Sequence, residues 1–412
     1  MHDFEINFDK INNKKISLEE KEFRNKNLKL FNSLGFPNKR LENWKFTDLK
    51  EIIYRNFDQL DVKVAVPNIN KINLLKDFDH NYIFLVNGNL HTSNFDHEEK
   101  SKIKINSYDN DSNYPTSTNS LICLNHALAE NGYSLEIEKN YKFKKALIIY
   151  NFFTKEVKNK ILNIKNKIKI NENSEIHFVE YTINESKFIN NVYEHIVLEK
   201  NSKLKSLYIQ SNKNEGYFYK FLQNKLHYNS DYLGLIFSSG LKFNKMDIEC
   251  DLIEKNCKCN ILSALFLDKN EHQEIKTRIN HLAPNCKSFQ NVKKVLCSES
   301  KGVYQGKIYV KDNAQKTDAY QQSKALLLSE NAEFDSKPEL EIYADDVKCS
   351  HGSTSGSVDE DSLYYLMTRG LNRDDAVKLL VKGFLEDVVE FIKSSSIKKF
   401  VNSKLEDRIN EH

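Results

Sequence analysis

Glu172-Asn173-Ser174-Glu175-Ile176, Lys200-Asn201-Ser202-Lys203-Leu204, Lys255-Asn256-Cys257-Lys258-Cys259 and Glu330-Asn331-Ala332-Glu333-Phe334 repeat one phrase: charged, Asn, small, charged, apolar. Asn tolerates the left-handed backbone region and hydrogen-bonds locally, so a recurring Asn-small turn suits a coil that bends at equivalent corners. The Asn positions are separated by 28, 55 and 75 residues. From Tyr133 to Val358, short runs of Ile, Val, Phe and Tyr are divided by Asn, Lys, Glu and Ser, which is the texture of strands. A mainly β chain built around a β-solenoid fits this repeat. A sandwich with Asn-rich hairpins is the other architecture the texture allows.

Helical patterns flank this core. On the amino-terminal side Ser17 and Glu20 have capping-box spacing, Phe23, Phe31 and Leu34 lie near one stripe, and Gly35 and Pro37 stop the helix. Trp44, the single Trp, sits among charges in Arg40-Leu41-Glu42-Asn43-Trp44-Lys45-Phe46-Thr47, where it can pin a helix to its neighbour. The polar stretch from Asn106 to Ser120 reads as a surface loop or linker. Beyond Val358, Asp359-Glu360-Asp361 opens a helix that presents Leu363, Tyr364, Tyr365 and Leu366 and stops at Gly370. Asn372 can cap the next helix, in which Ala376, Leu379, Leu380, Gly383, Phe384, Val388 and Phe391 recur at offsets of three and four. That stripe must pack on the preceding domain or on another protein.

Composition narrows the partners. The 412 residues carry 61 Lys plus Arg against 58 Asp plus Glu, a net charge of +3, too small a field to argue for nucleic acid or an anionic membrane. With 40% apolar residues, 25 Phe and 20 Tyr, the chain can bury a sizeable core. No run approaches the roughly eighteen apolar residues of a membrane helix. Met1-His2-Asp3-Phe4-Glu5, with its early acids, does not read as a leader. The seven cysteines at 123, 250, 257, 259, 286, 297 and 349 have no framework spacing, which points to reduced thiols in a cytoplasm.

Two groups of residues could carry chemistry. Cys257 and Cys259, with Cys250 nearby and His281 and Cys286 downstream, invite a self-contained metal site, and His272 is a further imidazole. The repeat favours structural roles, since Cys257 takes the slot of Ser174, Ser202 and Ala332 while Cys259 takes that of Ile176, Leu204 and Phe334. In the second group, Lys337 to Gly352 runs from an alternating strand through a charged turn into Cys349 and His351 at a strand end. Positions i and i+2 of a strand share a face, so thiol and imidazole can point the same way, two ligands of a set that another chain must complete. Asp345-Asp346 would be the carboxylates of a β-helix carbohydrate-active enzyme, but neighbours on a strand face opposite ways. No P-loop, G-x-S-x-G elbow or H-E-x-x-H helix occurs.

An ordered string of motifs resembles the SufB/SufD family of iron-sulfur cluster assembly proteins. It runs through Asn270-Glu271-His272-Gln273, His281-Leu282-Ala283-Pro284, Gly306-Lys307-Ile308-Tyr309-Val310 and Ala314-Gln315-Lys316-Thr317-Asp318-Ala319. It continues through Leu326-Leu327-Leu328-Ser329, the Lys337 to Gly352 segment, and Tyr364-Tyr365-Leu366 with Arg369-Gly370. The likeness is dense over the carboxyl-terminal third and reaches the amino-terminal region through Glu42 to Thr47. Cys349-Ser350-His351-Gly352 is similar to the SufD branch, because SufB tends to carry a glutamate-flanked histidine there in a longer chain. Ser353 and Ser355 depart from the small apolar residues usual after His-Gly.

The resemblance implies a largely helical region over 1–130, a right-handed parallel β-helix over 131–357 and a helical segment over 358–412. It implies a cytoplasmic, non-catalytic scaffold that pairs with SufB through the β-helices, or with a second copy in isolation, and has neither nucleic-acid nor membrane partners. The SufC ATPase would dock on the carboxyl-terminal helices, at Leu363, Tyr364, Leu366, Arg369, Leu380 and Phe384. No cofactor would stay on the isolated chain, and iron or a nascent cluster would pass through the SufB-SufD interface. There His351, with Cys349 the weaker candidate, would face a SufB cysteine.

Overall fold

The computed structural model describes residues 16–411 except 59, 63, 65–72, 109–113, 115–116, 185 and 211–213. Met1 to Glu5 and much of the 106–120 loop therefore lie outside the described residues. The solenoid is present. Alternate strands feed two facing sheets, so each strand pairs in parallel with the strand one coil later. Lys258–Leu267 pairs with Lys287–Leu296 from 258↔287 to 267↔296, and His272–His281 pairs with Lys301–Val310 from 272↔301 to 281↔310. Among the described residues the two sheets have ten and nine strands. The amino-terminal region supplies the first of them: Asn81–Val86 pairs in parallel with Leu147–Phe153, and the antiparallel strands Asn89–Asn94 and Ile103–Ser107 close that end. At the other end, Glu333–Ile342 and Val347–Gly356 are the outermost strands of the two sheets.

The Asn turn performs the bend. Asn140, Asn173, Asn201, Asn229, Asn256 and Asn285 all take positive φ at one corner, a region open to Asn because its short side chain bonds locally. The side chains form a ladder along that corner. Asn173 Nδ2 donates to Asn140 Oδ1, Asn201 to Asn173 and Asn229 to Asn201, each at 2.9 Å. Asn229 falls inside the 55-residue gap, so the coil length is regular at 27 to 29 residues from Asn173 to Asn285. Asn331 is not a rung of this ladder. It sits at the opposite corner, between Thr317–Leu327 and Glu333–Ile342, where Asn270 and Ser298 make the equivalent turns. Asn270 and Ser298 take positive φ there but Asn331 does not, so its phrase repeats the wording of the ladder without the left-handed Asn. The small slot after each Asn is buried, and Ser174, Ser202, Ser230, Cys257 and Cys286 fill it in successive coils.

Helical elements cover both outer faces. α1 (Leu18–Leu34), α2 (Leu49–Asn56) and α3 (Ser120–Leu128) lie against the nine-stranded sheet, where Phe31, Trp44, Ile53 and Leu124 pack with Tyr217, Tyr219 and Phe243. Ser17 caps α1 through its hydroxyl, which accepts from the Glu20 amide at 3.1 Å. The Trp44 ring centre lies 5.6 Å from that of Tyr219, with the Lys245 ammonium 4.5 Å from the indole. Trp44 thus pins the amino-terminal segment to the sheet. After α4 (Glu360–Thr368), helices α5 (Arg373–Val389) and α6 (Ser395–Asn410) cover the ten-stranded sheet. There Val381, Leu385, Phe400 and Leu405 pack on Leu207, Leu235, Leu262 and Phe266. Arg408 of α6 pairs with Glu271 at the corner of the coil. Among the described residues no helix is long and apolar enough to cross a membrane.

Candidate functional site

The last coil brings Cys349 and His351 to the end of the solenoid. The charged turn occupies 343–346, and both residues lie within the strand Val347–Gly356, so the imidazole is mid-strand rather than at a strand end. Val347 and Cys349 face inward, packed with Ile308, Val310, Ala314, Ala319 and Ala344. Period two puts His351 on the same face, and register agrees: Cys349 pairs with Ala319, His351 with Gln321 and Ser353 with Ser323, all three partners buried. His351 is nevertheless exposed, because among the described residues no further coil lies over it. The ring therefore points into the solenoid axis yet can be reached from outside. Cys349 is half-buried, and that burial raises its thiol above the usual range, so thiolate is scarce there.

The other thiols and imidazoles do packing work. Cys257 donates to the carbonyls of Glu254 at 2.9 Å and His227 at 3.1 Å. Its hydrogen bond with Cys286 holds the Cys257 thiol low and the Cys286 thiol high. Cys250 and Cys259 belong to the apolar interior. His281 shares a hydrogen bond with Ser288 at 2.9 Å and burial lowers it to about 4. His272 meets Thr47 at 3.0 Å and burial lowers it to about 3. Among the described residues no three His, Cys, Asp or Glu side chains converge as a metal site. Asp345 and Asp346 lie exposed on the turn. Nothing here favours a carbohydrate-active enzyme or a self-contained metal protein.

The stripe on the carboxyl-terminal helices divides. Leu363 is 1% exposed and Tyr364 72%, while Arg369 is exposed and Leu366 and Leu380 are half-buried. Phe384 packs at the rim of the apolar layer between α5 and the solenoid, with Lys293 bonded to its carbonyl at 2.8 Å. Sequence reasoning missed two features. Tyr320, Ile342 and Tyr343 are exposed around the last coil. Inside the solenoid, Lys220 pairs with Glu180 at 2.7 Å and Glu194 at 3.2 Å beside a cavity of about 60 Å³. These groups are 26 and 40 residues apart, and only the coil period could have joined them.

Comparison with known proteins agrees with this architecture. The family profile described as "SUF system FeS cluster assembly, SufBD core domain" matches residues 152–384, and "SufBD protein N-terminal region" matches 4–149. The iron-sulfur cluster assembly protein SufD of Escherichia coli (strain K12) is 24% identical over 382 residues, 91% of this chain and 90% of that protein. Protein ABCI7, chloroplastic, of Arabidopsis thaliana is 28% identical over 250 residues, 60% of this chain and 51% of its own length. An iron-sulfur cluster assembly SufBD family protein of Staphylococcus epidermidis (strain ATCC 12228) is 24% identical over 275 residues, 66% of this chain and 59% of that one. With the core profile spanning more than half of its length, the chain belongs to the SufBD family of SUF-system iron-sulfur cluster assembly proteins.

Proposed function

We propose that the chain is a non-catalytic scaffold subunit of a cytoplasmic SUF complex, with a SufB-type chain paired to its last coil and a SufC-type ATPase on its carboxyl-terminal helices. The observation that carries this reading is an imidazole on the inward face of an outermost strand that remains exposed. Two sheet edges side by side form a template for added strands, and a partner that continued both sheets would cover His351. Iron or a nascent cluster is the substrate here. A neutral imidazole suits iron, and one imidazole with at most one thiol leaves a coordination set that the partner must complete. Assembly, not resident metal, then creates the site. The exposed Tyr364 and Arg369 of the α4 region suit an ATPase contact, whereas α5 and α6 tie that contact to the solenoid.

Co-expression with SufB-type and SufC-type chains tests this. Native mass measurement should show one assembly, and iron and sulfide assays should show cluster on it. His351→Ala should keep the assembly and lose most of the cluster. Unchanged cluster yield would remove His351 from the site, and failure of the three chains to associate would remove the scaffold role.

A further inference from the structure

His351 heads a column of inward-facing side chains. Its in-register neighbour is Gln321, and the neighbour of Gln321 one coil deeper is Gln290. Gln321 is 2% exposed, and its Nε2 donates to the Gly306 carbonyl at 3.3 Å. Its Oε1 is buried without a hydrogen-bond partner among the described residues. The approach depends on Gly306, where a Cβ would fall 2.6 Å from Gln321 Cδ and 2.4 Å from the Tyr304 hydroxyl. One level down, Gln290 Oε1 accepts from Tyr304 Oη at 3.2 Å and from Thr277, while its Nε2 has no partner among the described residues. A buried amide oxygen left without a donor costs stability. Neighbouring strands stand about 4.8 Å apart, so the register puts His351 one rung from that oxygen, with no hydrogen bond joining them in this structure.

We propose that Gln321 is a positioning residue for His351: the exposed ring turns its N–H onto the unpartnered Oε1, which holds the neutral imidazole in one tautomer and leaves the other ring nitrogen free for iron at the partner interface. This rests on the reading of His351 given above. Metal-binding imidazoles generally donate their second N–H to a carbonyl or carboxylate, and loss of that contact typically costs about 10- to 100-fold in affinity or activity. An exposed ring without such a contact would exchange tautomers.

The test is ¹⁵N NMR of the full chain labelled at histidine, at pH 8.5, with His351 assigned by its disappearance in His351→Gln. The wild type should show one predominant tautomer at His351, Gln321→Leu a mixture, and Gln321→Glu, which keeps an acceptor, one tautomer again. In the co-expressed assembly Gln321→Leu should lower cluster yield about tenfold, with Gln321→Glu retaining most of it. A mixed tautomer in the wild type, or an unchanged ratio in Gln321→Leu, overturns the proposal even when His351→Ala abolishes cluster formation. The wild-type spectrum decides the matter should either variant fail to fold. Where the tautomer responds to Gln321 but His351→Ala leaves cluster yield intact, the hydrogen bond stands and the ligand role of His351 falls.

Discussion

The coil that begins at Lys258 and the coil that ends at Gly356 share one strand pattern and one register, yet they meet opposite surroundings. In the first, inward positions are Cys259, Ile261 and Leu265, all buried, with helical elements over both outer faces. In the second, the same columns end in Cys349, His351 and Ser355, and the strand is largely exposed. The amino-terminal end of the solenoid is closed by antiparallel strands, whereas this end stops on two outermost strands. Solenoids need polar caps because a terminal coil has no neighbour to bury its face. Polar residues in formerly apolar slots lower the cost of that exposure, and they also supply donors that an apolar cap would lack. The change from Ile261 to Gln290, Gln321 and His351 along one column records the passage from core to exposed end.

Alanine substitution along that column should break the equivalence most strongly. Ile261→Ala should cost about 2–5 kcal/mol by urea unfolding, whereas His351→Ala should stay within about 0.5 kcal/mol, as exposed positions do. Equal costs would mean that the last coil is as packed as the middle. The interior ion cluster belongs to the middle of the solenoid as well. Lys220→Met strands Glu180 and Glu194 in the interior and should cost about 3–5 kcal/mol; a loss below about 1 kcal/mol would show that water reaches the cluster.

Acid should act on the covered coils first. His281 has a folded value of about 4 against an ordinary 6.5, so the unfolded chain binds the proton first. The contribution of this residue is present above pH 6.5 and is lost as pH falls towards 4, by up to about 3 kcal/mol. His281→Gln should flatten that limb of the stability profile, and an unchanged limb would place the acid sensitivity elsewhere.

The smallest effects sharpen the division on the carboxyl-terminal helices. Phe384→Asp puts a charge at the rim of the α5 layer and should cost the isolated chain about 1–3 kcal/mol. Tyr364→Asp should leave unfolding within about 0.5 kcal/mol while weakening a SufC-type ATPase in a pull-down. The reverse order would exchange the docked and free faces.

What could be read from the sequence was local. The Asn-small turn was legible because left-handed backbone and Asn chemistry are written in adjacent residues, and Asn173, Asn201 and Asn256 do share a corner. Asn331 misled because its phrase matches in sequence while it lies at the opposite corner without a positive φ. Periodicity marked the stripe containing Phe384 but could not name its partner, since an apolar stripe looks the same against a solenoid or against another protein. His351 stood out through its motif, while its exposure depends on being in the last coil. Gln321 was invisible until a coil length of 30 residues set it beside His351.

Hydrogen exchange of the outermost strands, in the free chain and in the assembly with SufB-type and SufC-type partners, tests the open end most directly. Amides of Glu333–Ile342 and Val347–Gly356 should exchange fast in the free chain and slow by at least about tenfold in the complex, with Lys258–Leu267 slow in both. Equal exchange of Val347–Gly356 in the free and assembled states would contradict a partner-covered last coil.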